Sequence, residues 1–292
     1  MSVTRPALRY HGGKFRLAPW VLQFFPPHQC YVEPFGGAAS VLLLKVRAYA
    51  EIYNDLDDDI VNFFAVLRDP ALRTLLIEAC ELTPYARREF ELAYQPATDP
   101  LERARRTAVR AAMGFGSASA TKGTSGFRID TRRRYGTAQH NWTEYPAPLA
   151  AIGERMTGVI IENRPAVDVM QQHDGPHTLH FADPPYLPET RQRPGKRYYR
   201  HEMSAEAHGE LLDALCRLRG MVVLCGYASA LYDERLGGGT GWERHETSAR
   251  ISANRGTSLR TEVVWINAAC SAALKRRRGG LFIDEEMEAC AL

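Results

Sequence analysis

The stretch from Gln29 to Asp55 reads QCYVEPFGGAASVLLLKVRAYAEIYND. Gln29-Cys30-Tyr31-Val32-Glu33 has the make-up of a short strand. Pro34-Phe35-Gly36-Gly37 is a turn, and its glycines let a ligand approach the backbone closely. Ala38 to Ala48 is apolar and helix-favouring, so a helix is expected there. Glu51-Ile52-Tyr53 is a second strand, ending at Asn54-Asp55. Strand, Gly-rich turn, helix and strand in this order open an α/β fold of the nucleotide-binding type. Asp57-Asp58-Asp59 then suit the positive end of a helix dipole, and Ile60, Phe63, Phe64 and Leu67 fall on one face of that helix.

The alternation resumes in the second half of the chain. Val159-Ile160-Ile161-Glu162 reads as a strand and Arg164 to Gln172 as a short helix. Thr178-Leu179-His180-Phe181-Ala182 is a strand running into Asp183-Pro184-Pro185-Tyr186. Ser204 caps a helix with Leu211, Leu215 and Leu218 on one face, and Gly220 is expected to stop it. Met221 to Cys225 is a continuous apolar strand. Residues 242–252 and Glu262 to Ile266 read as a closing pair. Strands alternating with helices predict a Rossmann-like, mostly parallel α/β sheet with helices on both faces. Between the halves, residues 70–113 read as two or three helices broken at Pro84 and at 95–100. Residues 114–145, rich in Gly, Ser, Thr and Arg, read as loops or a hairpin. The expected division is a body of residues 1–65 and 146–270, an inserted helical and hairpin lobe of 66–145, and a loosely held tail of 271–292.

The 292 residues are 45% hydrophobic and 24% charged, an ordinary globular balance that excludes collagen, coiled coil and wholesale disorder. Apolar runs such as Val41 to Leu44 are far short of the ~20 residues that span a bilayer. No apolar run follows Arg5, so no signal peptide is expected; the reading is a cytoplasmic protein that engages no membrane. The six cysteines lack zinc-site spacing and read as buried thiols of a reducing compartment. His173, His177 and His180 are separated by Gly175-Pro176, and no metal is expected. The net charge is only +3, but residues 101–140 carry nine Lys/Arg against Glu102 and Asp130. Such a block is either a footprint for phosphates or a solvated helix face followed by a loop.

Four motifs carry chemistry. A fixed four-residue string such as Asp183-Pro184-Pro185-Tyr186 is expected in about one chain in 500 of this length. It ends a strand, where open α/β sheets bind ligands, and its prolines fix the backbone. An acid, a rigid carbonyl and an aromatic ring there suit a planar, amino-bearing ligand. Glu33 to Gly37 forms the Gly-rich turn. Asp55, 18 residues after Gly37, stands where an acid binds two ribose hydroxyls, and equally where an acid caps a helix. Tyr10-His11-Gly12-Gly13-Lys14 suits a turn that lays a ring and a cation over a ligand, and is also an ordinary loop.

In kind and order these motifs resemble the Dam-like DNA adenine methyltransferases, over about residues 8–268, and most of all their phage and prophage members. The resemblance implies a monomeric enzyme that moves a methyl group from S-adenosylmethionine to the exocyclic amine of an adenine in double-stranded DNA. Carried over by position, Tyr10 and Lys14 help hold the cofactor. Glu33, Pro34, Phe35, Gly36 and Gly37 border its methionine part, and Asp55 takes its ribose. Asn163 and Arg164 lie near its adenine. Asp183 sits between cofactor and substrate; it and the Pro184 carbonyl accept the amine hydrogens, Pro185 fixes the turn, and Tyr186 stacks on the flipped base. The insert reads DNA, with Lys122, Arg128, Arg132, Arg133 and Arg134 as candidate contacts. It lacks the Asn-Gly-Leu hairpin of the GATC-methylating members, so GATC is not carried over as the target.

Overall fold

The computed structural model describes residues 3–116, 120, 125–129, 137–191, 197–253 and 256–277. Seven strands form one sheet: β1 Cys30–Glu33, β2 Ala50–Asn54, β3 Ile160–Glu162, β4 Thr178–Ala182, β5 Met221–Gly226, β6 Glu243–Ala253 and β7 Gly256–Ile266. Their order is β3-β2-β1-β4-β5-β7-β6. The first five are parallel, and β7 runs antiparallel to both β5 and β6. The mostly parallel α/β sheet expected from the sequence is therefore present. Chain order reverses between β1 and β4, which opens a crevice at their carboxyl ends.

Period-two alternation sorts the strand side chains onto two buried faces. Tyr31, Tyr53, Leu179, Phe181, Val223 and Val264 belong to one core, whereas Val32, Ile52, Ala182, Val222, Leu224 and Trp265 belong to the other. The first face packs against helices α1 Ala18–Val21, α2 Ser40–Leu44 and α3 Asp58–Arg68. Next along the chain come α4 Pro70–Leu82, α5 Arg87–Leu92, α6 Pro100–Met113 and α7 Ala138–Thr143, within the stretch expected to be an insert, and then α8 Leu149–Met156. Leu76, Phe90, Ala108 and Trp142 of these helices share one cluster with Phe63 and Phe64 of α3. The opposite face carries α9 Ala166–Gln172, α10 Ala205–Arg217 and α11 Ala230–Leu236. No helix among the described residues is long and apolar enough to cross a membrane.

Several local expectations need correction. The helix expected over Ala38 to Ala48 is only α2. Ala39 takes a left-handed φ of 54°, and after Leu44 the chain is extended. The Lys45 ammonium is buried against Glu51, 2.7 Å away, and that pairing draws the backbone out of the helix. Gly220 does not end α10. The helix stops at Arg217, and Gly220 is needed because a Cβ there would lie 2.8 Å from the Thr178 carbonyl oxygen. β7 starts at Gly256, not near Glu262, because the polar run before Glu262 gives no apolar pattern to read. α11 had no expectation at all. A last helix covers residues 268–277, with Cys270 buried and its thiol 3.4 Å from the Phe24 carbonyl, and residues 278–292 of the expected tail lie outside the described residues.

Candidate active site

The turn after β1 is held from below by β2. Asn54, fully buried, donates through Nδ2 to the carbonyls of Pro34 (2.9 Å) and Arg164 (3.0 Å), and its Oδ1 accepts from the Arg164 amide (2.9 Å). The Gly36 amide donates to the Asn54 carbonyl (2.7 Å), and the Tyr53 hydroxyl donates to the Gly37 carbonyl (2.7 Å). Gly36 and Gly37 are there for space. A Cβ on Gly36 would lie 2.1 Å from the Tyr53 ring, and one on Gly37, at φ 47°, 2.8 Å from the Tyr10 ring. Phe35 packs against the opposite core.

Two acids frame this turn. Asp55 accepts from the Gly37 amide on Oδ2 and from the Asp57 amide on Oδ1, both at 2.8 Å, and burial pushes its carboxyl up to about 6. Asp57, not Asp55, caps α3, by accepting from the Asp59 amide. Glu33, 2% exposed, accepts on Oε2 from the Tyr31 hydroxyl (2.6 Å) and the Leu42 amide (3.0 Å), and burial pushes it up to about 8. Exposed Asn163 donates to the Asp55 carbonyl at 2.7 Å.

At the end of β4 the Asp183 carboxylate lies 2.9 Å from the Lys14 ammonium. Lys14 also stands 3.9 Å from Glu262 and 4.6 Å from the centre of the Tyr186 ring. The Tyr186 hydroxyl donates to Glu262 at 2.9 Å. Burial opposes the charge on Lys14, but Asp183 and Glu262 outweigh it and hold the ammonium above its usual range. Burial raises the Asp183 carboxyl, and Lys14 restrains that rise. Glu262 reaches the site through register: Val263 pairs with Gly226, which brings the residue before it to the carboxyl end of β5.

The rest of the motif is braced. Pro184 is buried. The Pro185 carbonyl lies 2.9 Å from Nε2 of His208, a fully buried residue of α10, whose Nδ1 is 3.0 Å from the Tyr232 hydroxyl. Burial pushes His208 down to about 4, so it is neutral and one tautomer serves both bonds. Arg191 donates to the Tyr186 carbonyl (2.7 Å) and to Glu202 (2.6 Å). Glu202 in turn accepts from the Tyr198 and Tyr199 amides. Tyr198 stacks on His11 with centroids 4.4 Å apart, and Arg200 reaches Asp57 and Asp59. Residues 197–202 thus strap the Tyr10 to Lys14 turn to the start of α3.

The insert divides the basic block. Arg103, Arg105, Arg106 and Arg110 are committed to Asp58, Asp59, Glu89 and Glu102, so this half is neither a free phosphate footprint nor a solvated face. The Arg128 amide donates to the Met113 carbonyl at 2.7 Å, and Gly114 bridges Phe127 in antiparallel fashion. Lys122, Arg132, Arg133 and Arg134 lie outside the described residues. Among the described residues no group of three or more His, Cys, Asp or Glu could hold a metal ion.

The structure therefore gathers Tyr10, Lys14, Glu33 to Gly37, Asp55 and Asp183 to Tyr186 at one end of the sheet, with Asn163 at the rim. Sequence reasoning gave no role to Asn54, Tyr199, Arg200 or His208, and noted Glu262 only as the start of a strand, Glu262 to Trp265, that loosely matches the C-terminal pattern of the Dam-like group. An acid beside the apolar run Val263-Val264-Trp265-Ile266 is the one local signal that could have marked it.

Residues 10–223 match the model of the family described as D12 class N6 adenine-specific DNA methyltransferase. The chain is 37% identical over 65 residues to the DNA adenine methylase of Haemophilus influenzae, covering 22% of each chain. It is 32% identical over 68 residues to the DNA adenine methylase of Serratia marcescens, covering 23% of this chain and 25% of that one. The matched stretches thus span about a quarter or less of these relatives' length. The family match covers most of this chain and includes the turn after β1, Asp55 and the whole Asp183 to Tyr186 motif: the chain belongs to the D12 class of N6 adenine-specific DNA methyltransferases.

Proposed function

We propose that this protein transfers a methyl group from S-adenosylmethionine to the N6 amine of an adenine flipped out of double-stranded DNA. The observation that carries this reading is the Asp183 carboxylate, 2.9 Å from a buried Lys14 ammonium that also lies over the Tyr186 ring. The cofactor supplies a methyl group already activated on a sulfonium. The crevice fits such a molecule. Asp55 keeps lone pairs beyond its two amide bonds for a ribose diol, Gly36 and Gly37 leave room that any side chain would fill, and the Lys14 ammonium and the Glu33 carboxyl, which burial holds protonated, offer polar groups for the amino-acid end.

The difficulty is the adenine amine, whose lone pair is delocalised into the ring. Asp183 and the Pro184 carbonyl accept its two hydrogens, which concentrates density on nitrogen and stabilises the positive charge that develops there. The Pro-Pro backbone and the His208 brace fix that geometry, so alignment is paid for in folding. Tyr186 stacks on the base once it has left the helix. The insert, residues 66–145, reads the DNA, with Arg128 and the neighbouring Lys122 and Arg132 to Arg134 as its contacts.

The test is expression in a host without adenine methylation, followed by modification-sensitive sequencing. One adenine motif modified throughout is expected, and Asp183→Ala should abolish it while cofactor binding persists. A modified cytosine, or wild-type-like methylation by the variant, would overturn the assignment.

A further inference from the structure

Beside the Asp183 to Tyr186 motif, the segment after β5 and the middle of β7 border a cleft of about 550 Å³ whose lining includes Glu189, Thr190, Tyr227, Ser229, Arg260 and Thr261. It adjoins the adenine site directly. The Tyr227 ring meets the Tyr186 ring edge to face, with centroids 4.6 Å apart. The Arg260 guanidinium lies over Tyr227 at 4.9 Å and donates to the Thr190 carbonyl at 2.6 Å. Among the described residues Arg260 makes no ion pair, in contrast to the arginines of α6. A guanidinium has five N–H donors, so this contact set leaves donors for a further acceptor.

We infer that this cleft holds the phosphodiester that adjoins the flipped adenine on the target strand, with Arg260 as its cation. The inference rests on the DNA reading above. A base stacked on Tyr186 carries its sugar and phosphate toward the rim of the motif, and Tyr227 links that rim to Arg260, which makes no ion pair among the described residues, whereas Arg191 is paired with Glu202. Tyr227 is engaged by Arg260 and Tyr186, so the cleft offers a cation and hydroxyls more than a free ring face, which is phosphate chemistry. Exposed Glu189 lines the same cleft as Arg260, which gives the site a second handle of opposite sign.

The test uses the full chain and a duplex bearing the motif that sequencing defines. Arg260→Gln should weaken DNA binding about tenfold. It should also lower the salt slope of the binding constant by about one, while Arg260→Lys keeps the slope and Glu189→Gln tightens binding. A neutral methylphosphonate at the phosphate next to the target adenine should weaken wild-type binding by a similar factor and have little further effect on Arg260→Gln. An unchanged salt slope in a folded Arg260→Gln, or additive losses from the variant and the methylphosphonate, would mean that Arg260 only braces Thr190 and Tyr227. Wild-type protein that methylates a nucleoside but binds no DNA would overturn the underlying reading as well.

Discussion

Lys14 faces two carboxyl groups, partly exposed Asp183 at 2.9 Å and buried Glu262 at 3.9 Å. For Asp183 to accept hydrogens from a substrate amine, Lys14 must yield some of its hold, and Glu262 is the charge that receives it. Glu262 also fixes the Tyr186 hydroxyl, which makes it a positioning residue twice over. Glu262→Gln keeps an acceptor for Tyr186 and removes the charge. The Lys14–Asp183 pair should then tighten and kcat should fall about tenfold, roughly one charge-assisted contact, with the KM for S-adenosylmethionine little changed. Steady-state kinetics in wild-type and Tyr186→Phe backgrounds checks this; an unaltered kcat would show that Lys14 needs no second carboxylate. Asp55 gives a pH signature. Its carboxyl titrates at about 6, and the protonated form loses acceptor capacity. Affinity for S-adenosylmethionine should therefore fall as pH drops through about 6, and Asp55→Asn should flatten that dependence. Calorimetric titration across this range reads it directly; an equally steep fall in the variant would assign the proton elsewhere.

Among the elements, α10 is both a core helix and a support for the reactive turn. Its leucines fill one face of the sheet, while His208 holds the Pro185 carbonyl. His208→Ala leaves that half-buried carbonyl without its partner and should cost about 1–3 kcal/mol. It should also lower turnover more than cofactor affinity, because in the proposed mechanism the turn orients substrate. Urea unfolding beside kinetics tests both, and lost stability with intact kcat would reduce His208 to a core residue. The elements differ in how plainly the chain announces them. β4 and β5 are buried on both faces, so their apolar runs have clean edges, and Asp183 to Tyr186 is contiguous and falls at one of those edges. α2 looked longer than it is because a buried Lys45–Glu51 pair is a tertiary fact that helix propensity does not encode. The same holds for the site. Asp55 and Gly37 meet across neighbouring parallel strands whose spacing is local, and that pairing was legible. Glu262, His208 and Arg200 arrive from distant segments through sheet register and helix packing, which no window of sequence contains. The basic block misled for the opposite reason, since charge counts do not reveal that the α6 arginines are already paired.

For the whole molecule, the site's buried titrating groups set the pH range of greatest stability. Glu33 titrates at about 8 in the fold, against an ordinary 4.5. Between those values the folded protein holds a proton that the unfolded chain has released, so stability falls as pH rises, by at most about 1.4 kcal/mol per pH unit. Asp55 acts in the same sense between about 6 and its ordinary 3.8. His180 and His208 act oppositely. Burial pushes both from 6.5 to about 4, so over that window the unfolded chain gains protons that the fold refuses, and stability falls as pH drops. From about 6 to 4.5 the buried acids and the buried histidines act in opposite senses, which flattens the dependence. Below that, Asp59, whose arginine partners outweigh burial and hold it down at about 2, makes the fold fail with acid. Above about 6.5 Glu33 acts without the histidines, and stability should decline toward pH 8. Glu33→Gln removes the titration without changing the shape of the side chain. Thermal melts of the ligand-free protein from pH 5 to 8.5 should therefore show a Tm that varies less below about 6.5 and falls above it in wild type, but not in the variant. The same alkaline fall in both proteins would mean that the proton belongs to another group and that Glu33 is ionised in the fold, ready to meet a cationic ligand without first losing a proton.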